Sequence, residues 1–415
     1  MKRHQKHIAA IAVIPVLILA ITTAGCQKKQ EASGGSNLYW VSNTGSSTIS
    51  VIDLEGRKVD KTIDLTREAG SGNISRQSHF LDITSDGKFI MIGEALGTED
   101  GKILFIDVET DRVLKTFNVG AGIGMHISHD GRWLFTVSSG KGEVAGVNYT
   151  NVINIFDVEK QEYLGKIDHG SSPHVLETTW DSRTLYTTTD AGGELVAYDI
   201  TGLPNVIPQR PFWRFDVYQN LKNSGQVGAD VTGVRLHALA IHPNDRYVIV
   251  GSFDNPLLVG GGDIIVDVLT NQVVARIPGR PHNYDISPDS QFLLSGESNN
   301  PDCEEAAYLN DHNHGGFIGP LVRVINIAEL QSNTPNYSKI QTAYTIDAGA
   351  LGGTGGINHQ SYDSSGRYII VAASGRDGAS GHALIVDVQN GYKMVANLEV
   401  GIAPHGITYP GFIGR

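Results

Sequence analysis

Pro281-His282-Asn283-Tyr284-Asp285-Ile286-Ser287-Pro288-Asp289-Ser290-Gln291-Phe292-Leu293-Leu294-Ser295-Gly296 decides the fold. A histidine enters an apolar strand, a tight turn follows at Asp289-Ser290, and a second apolar strand returns. The unit recurs: His79, His126, His174, His237, His282, His359 and His405 each stand just ahead of a short turn or apolar strand. Six turns share one chemistry, at Asp86-Gly87, Asp130-Gly131, Asp181-Ser182, Asn244-Asp245, Asp289-Ser290 and Ser365-Gly366. Asp-Gly and its relatives tolerate the positive φ that such hairpins demand. Apolar second strands come next, at residues 89–93, 133–137, 184–188, 247–251, 292–296 and 368–372.

Third strands ending in Asp or Asn complete the pattern at residues 50–54, 104–108, 153–158, 196–200, 264–268, 323–327 and 383–388. Fourth strands such as residues 113–119 and 273–278 follow. Four short antiparallel strands with regular turn signals are the mark of a propeller blade. The seventh unit is split. Pro404-His405-Gly406-Ile407-Thr408 supplies an innermost strand, and its outer strands come from residues 38–43, 48–54 and 58–65. The expected fold is all-β: a seven-bladed β-propeller of four-stranded antiparallel blades, closed by pairing of N- and C-terminal strands. Closure hides two sheet edges that would otherwise invite aggregation.

The N-terminal residues read as an export signal. Lys2, Arg3 and Lys6 precede an uncharged apolar run at 8–21, short for a transmembrane helix but suited to a signal-peptide core. Thr22-Thr23-Ala24-Gly25-Cys26 resembles a bacterial lipobox, with Thr23 where Leu is usual. The expected division is a lipoprotein signal peptide at 1–25, a lipidated flexible tether at 26–37 and the propeller at 38–415. Cys26 would carry the lipid and anchor the chain to a membrane, on its extracytoplasmic (periplasmic or cell-surface) side. The polar tether spans roughly 18 Å as a random coil. Formal charge is −12, and removal of 1–25 with its three basic residues makes it −15. Such a surface repels nucleic acid, so none is expected as a partner. With Cys26 lipidated, Cys303 is the one remaining thiol and no intramolecular disulfide forms. A monomer is expected.

A ring of blades brings one histidine per blade towards one axis. His79, His174, His237 and His282 each lie eight residues before the second turn residue, and His405 joins them through its Pro-His-Gly-Ile context. His359 is one residue closer and His126 three, so each needs a bulge to face the same way. Imidazole is the common ligand for copper, iron, zinc and nickel. All seven are therefore candidate metal ligands, and the five in register are the candidate cofactor-binding set. Antiparallel order puts the histidines at the upper mouth of the channel. The insertion at 297–320 reaches the same face and carries Cys303, Glu304, Glu305, Asp311, His312 and His314; the last two are further candidate ligands. Insertions at 220–236 and 349–356 also reach it. Loops of this length are usually functional or mobile.

The histidine-turn-strand units and Pro404-His405-Gly406-Ile407 resemble the YVTN-type propellers and, more narrowly, the propeller of cytochrome cd1 nitrite reductase and its maturation relatives. The resemblance spans residues 38–409. It implies that Ser78-His79-Phe80-Leu81 matches an iron-ligand segment for d1-type haem, with His237 and His282 as a distal pair. Lacking an attached cytochrome c domain, the chain looks more like the cofactor-maturation branch, served by an external electron donor. The histidine ring is also similar to the nitrous oxide reductase propeller, whose copper cluster is held by such histidines; the paired-histidine segment of that enzyme is missing here.

Other chemistry has no motif: Gly-x-Ser-x-Gly, His-Glu-x-x-His and a phosphate-binding Gly-rich loop are all lacking. Trp40, Trp133, Trp180 and Trp213 fall mostly on strands and read as core. No catalytic residue is assigned. The leading expectation is a membrane-anchored propeller that holds copper, iron or a d1-type haem in redox or cofactor-maturation chemistry. The rivals are a scaffold for envelope proteins, whose histidines bridge blades, and a small-molecule hydrolase or lyase.

Overall fold

The computed structural model describes residues 37–65, 78–94, 101–119, 124–144, 147–189, 193–227, 236–252, 261–298, 318–351, 356–375 and 379–410. All lie in one compact unit, 35–415. Cys26 and the loop bearing Cys303, His312 and His314 fall outside these residues.

Seven four-stranded antiparallel sheets form the blades. Their innermost strands are Ser78–Ile83 (blade 1), Met125–Ile127 (blade 2), Pro173–Thr178 (blade 3), Leu236–Ile241 (blade 4), Pro281–Ile286 (blade 5), Gly356–Tyr362 (blade 6) and Pro404–Thr408 (blade 7). Each touches the next around the cycle, including blade 7 against blade 1. The split seventh blade closes as expected. Leu38–Asn43 pairs on one side with Thr48–Asp53 and on the other with Pro404–Thr408, placing Trp40 opposite Thr408 and Val41 opposite Ile407.

The turn chemistry has a direct structural result. Gly87, Gly131, Ser182, Asp245, Ser290 and Gly366 all take φ between 56° and 74°. Each N–H donates to the carbonyl three residues back, as Gly87 does to Thr84 and Ser290 to Ser287. The Asp or Asn closing each third strand has an equally local role. Asp53, Asp107, Asp157, Asp199, Asp267, Asn326 and Asp387 each accept a backbone N–H two or three residues on, at 2.8–3.1 Å. These Asx turns start the reversal into the outer strand.

Apolar packing lies between neighbouring blades. Trp40, Ile49 and Val51 of blade 7, for example, pack on Ile83, Ile90, Ile92 and Leu104 of blade 1. The second and third strands are apolar on both faces because each sheet is sandwiched between two others. Hydrophobic burial is thus satisfied away from the axis, and the channel is left to polar side chains.

Two elements depart from the sequence reading. The long insertion expected from residue 220 begins as the last turn of a short helix, Val217–Asn223, capped by Asp216, whose side chain accepts from the Gln219 N–H at 2.7 Å. In blade 2 the second and third strands are long, Trp133–Val144 and Val147–Asp157, because pairing continues past the blade body.

Candidate metal centre

Six of the seven histidines stand where the innermost strands bulge. Opposite the second strand, one extra residue is inserted between Ser78 and Phe80, Pro173 and Leu176, Leu236 and Ala238, Pro281 and Asn283, Ile357 and Gln360, and Pro404 and Ile407. A bulge bends its strand and re-aims the side chains within it. His79, His174, His237, His282, His359 and His405 all occupy these bulges. In blade 2 no such bulge occurs among the described residues: Met125, His126 and Ile127 pair in regular register with Thr136, Phe135 and Leu134.

Five imidazoles then meet in a chain of ring contacts. Centroids of His174 and His237 are 4.4 Å apart, and those of His237 and His282 are 4.5 Å apart. His282 stands 6.5 Å from His359 and 6.4 Å from His405, which are themselves 4.7 Å apart. The Phe80 ring meets the last two edge-on, at 5.7 and 5.8 Å. His174, His237, His282 and His405 are buried. Burial pushes the His359 imidazole down to about 4, so at neutral pH its ring carries no charge. His79 lies on the innermost strand of blade 1, at the matching bulge.

Blade-to-blade hydrogen bonds hold this tier in place. A ring nitrogen of His237, Nδ1, lies 3.1 Å from the carbonyl of His282. The Asn283 side chain donates to the Asn358 carbonyl, and Asn358 donates to the Pro404 carbonyl at 2.7 Å. Counting back from the turn, Asn358 takes the level that histidine holds in blade 5. It keeps the bridging role there, and His359, next in the same bulge, takes the imidazole role.

Three residues further along, the channel changes character. Asp82, Glu177 and Asp285 line it, within about 10 Å of the imidazole tier at the strand rise of about 3.3 Å per residue. Asp82 accepts from the N–H groups of Ile83 and of Ile127 in the next blade, at 2.9 and 3.1 Å. Asp285 accepts from the Tyr362 N–H at 2.7 Å and the Ser361 hydroxyl at 3.0 Å, again across a blade boundary. Burial lifts the Asp82 carboxyl to about 7, even though its hydrogen bonds pull the other way. Glu177 is raised well above the carboxylate range by burial and then by the nearby Asp82 and Asp285.

This shift has a sign that can be checked. Folded Asp82 holds its proton up to about 7, against 3.8 ordinarily. Its stabilising contribution is therefore full below pH 3.8 and is lost as pH rises through 7. Asp82→Asn stays neutral throughout, so its stability relative to the native chain should climb by about 2–4 kcal/mol across that window. Thermal melts of both proteins over the pH range test this, and a flat difference contradicts it.

His126 belongs to this lower level and not to the imidazole tier. Its Nε2 lies 3.5 Å from Glu177 Oε1 and 3.0 Å from Thr178 Oγ1. The bulge it needs to join the others does not form. Beside it stands His129, from the turn, with Nε2 3.8 Å from the same Glu177 oxygen. The ligand atoms of His126, His129 and Glu177 all lie within 4.8 Å of one another, close enough to hold a metal ion. Sequence reasoning missed His129, Glu177, Asp82 and Asp285. The signal was available in the column of residues four before each turn's first residue, which reads Asp82, His126, Glu177 and Asp285. Trp180 also departs from a simple core role: it sits in a turn with its ring 4.4 Å from His129, and its Nε1–H donates to the Ile241 carbonyl.

No family model matches the chain, and no curated protein matches it. Solved structures do. A functionally unknown protein from Desulfotomaculum acetoxidans is 12% identical with a TM-score of 0.61, covering 90% of this chain and 99% of its own. Kuenenia stuttgartiensis hydrazine synthase is 15% identical with a TM-score of 0.56, covering 84% and 95%. The dihydro-heme d1 dehydrogenase NirN, in complex with DHE, is 14% identical with a TM-score of 0.52, covering 91% and 76%. At these identities the likeness is one of fold.

Proposed function

We propose that the chain is a propeller that holds a transition metal, copper or iron, through imidazoles at the upper mouth of its channel, and serves redox or cofactor-maturation chemistry there. One observation carries this reading: five histidines from five blades, spread over more than 230 residues, meet in ring contact at 4.4–6.5 Å. Imidazole is the common ligand for metals of the copper and iron type, and this contact brings the ring nitrogens of five blades into one buried place. His174, His237, His282, His359 and His405 would supply the nitrogens. The bound metal would supply the redox change; the chain's part is to fix the rings and keep water from the site. A d1-type haem is the alternative cofactor, supported by the fold shared with NirN and by the bulge position of His79. Rings in direct contact leave no slot among themselves for a flat macrocycle, so the metal ion suits them better.

In this reading the chain is exported, anchored through Cys26, and exchanges electrons with an external partner protein. The scaffold reading has its own support, since His237 bridges to the His282 carbonyl as an inter-blade imidazole would. Metal analysis and an absorption spectrum of the purified full chain separate the two. Copper or iron near one equivalent, lost in His174→Ala/His237→Ala/His282→Ala with the fold kept, is expected. A colourless, metal-free protein that keeps its fold supports the scaffold.

A further inference from the structure

We infer that His126, His129 and Glu177 form a second, separate metal site at the lower mouth of the channel, which takes a divalent ion of the zinc type and leaves one coordination position open. It stands independently of the imidazole tier above.

The geometry is already near that of a bound site. Tetrahedral ligand atoms at zinc distances of about 2.0–2.1 Å lie roughly 3.4 Å from one another. Glu177 Oε1 is 3.5 Å from His126 Nε2 and 3.8 Å from His129 Nε2. Small rotations of the side chains would complete the triangle. Two histidines and one carboxylate, with the fourth position left to solvent, is a ligand set found in open zinc sites.

The surroundings hold those atoms in place. Thr178 Oγ1 lies 3.0 Å from His129 Nδ1 and accepts the His129 backbone N–H at 3.3 Å. Hydrogen bonding at Nδ1 leaves Nε2 as the ligand nitrogen, as outer partners of metal-bound histidines do. The Trp180 ring packs on the His129 ring at 32° and fixes its plane. His126 gives up its contact with Thr178 when its Nε2 turns to the ion. Glu177 keeps 23% of its side-chain surface open, which provides the approach for solvent or a ligand.

Charge argues the same way. Glu177 feels the nearby Asp82 and Asp285, and its ion-pair partners among the described residues are these two histidines. A divalent cation among the three ligand atoms, which lie within 4.8 Å of one another, supplies the positive charge that this group of carboxyls calls for.

Cobalt(II), whose visible spectrum reports its coordination, is the probe. The full chain, stripped of metal, is titrated alongside Glu177→Gln, His129→Gln and His237→Ala. The native chain and His237→Ala should share one cobalt equivalent with a tetrahedral-type spectrum, which Glu177→Gln and His129→Gln lose. Thr178→Val, which keeps all three ligands, should bind that equivalent about 10–100-fold more weakly. Circular dichroism confirms that each variant is folded, and Thr178→Val decides the matter if a ligand variant is not. Equal uptake and spectra for the native chain and Glu177→Gln, or no weakening in Thr178→Val, overturn the site. Loss of cobalt in His237→Ala alone would leave the imidazole tier standing and this site refuted.

Discussion

Arg323→Leu should lower stability by about 3–5 kcal/mol, the range for removing one partner of a buried ion pair. Arg323 lies on the third strand of blade 5 and reaches Asp263 on the third strand of blade 4, with Nη2 2.6 Å from Oδ2. Asp263 is fully buried and Arg323 nearly so. The guanidinium also meets Glu297 and donates to the Pro278 carbonyl at 2.9 Å, and Ser295 donates to Asp263 at 2.7 Å. Burial raises the Asp263 carboxyl, and Arg323 opposes that shift. Leucine in its place strands two carboxyl groups between blades. The double variant Arg323→Leu/Asp263→Leu, which removes the fully buried one of the two carboxyls as well, should recover part of the loss. Urea denaturation of the three proteins measures both effects; a single-variant loss below about 1 kcal/mol would show that the pair is not desolvated.

Ending the chain after Ala403 should be at least as damaging. Pro404–Thr408 is the innermost strand of blade 7 and, among the described residues, the C-terminal strand that pairs with Leu38–Asn43 in one sheet. With it go Ile407 and Tyr409, both buried, and the contact of Tyr409 with Tyr39 at 4.8 Å between ring centroids. Losing two such side chains costs about 4–8 kcal/mol from packing alone. The backbone edge of Leu38–Asn43 is then bare, an open template for other chains. Light scattering should show soluble oligomers or aggregates, with the melting transition lowered and broadened. A monomer that melts like the native chain would mean that the ring does not depend on this closure.

The fold was legible because its signals are local. Each Asp-Gly-type turn places its second residue at positive φ, and each closing Asp or Asn caps its own reversal, so both appear in sequence as short fixed patterns. The imidazole tier was legible in part. His174, His237 and His282 share one spacing because their strands bulge at one level, and His405 was found by its Pro-His-Gly-Ile context. His359 breaks the spacing, yet lands beside His405 because Asn358 fills the bridging position within the same bulge. Counting parity along a regular strand cannot foresee that, since a bulge adds a residue without changing the composition.

His126 shows the reverse failure. Its strand keeps regular register, and the ring ends beside Glu177 and His129 at the level of the carboxylates. That cluster joins a turn residue of one blade to a strand residue of the next. Their closeness depends on the angle between blades, which no spacing within one blade encodes. Carboxylates such as Asp82 and Asp285 are ordinary residues in a strand, and only the ring makes them channel-lining.

Anomalous X-ray diffraction from crystals of the full chain, recorded at the edge of the metal it carries, tests the central claim most directly. The account predicts a peak within about 2.0–2.2 Å of nitrogen atoms from at least two of His174, His237, His282, His359 and His405. Crystals that contain metal but give no peak among those rings would contradict it.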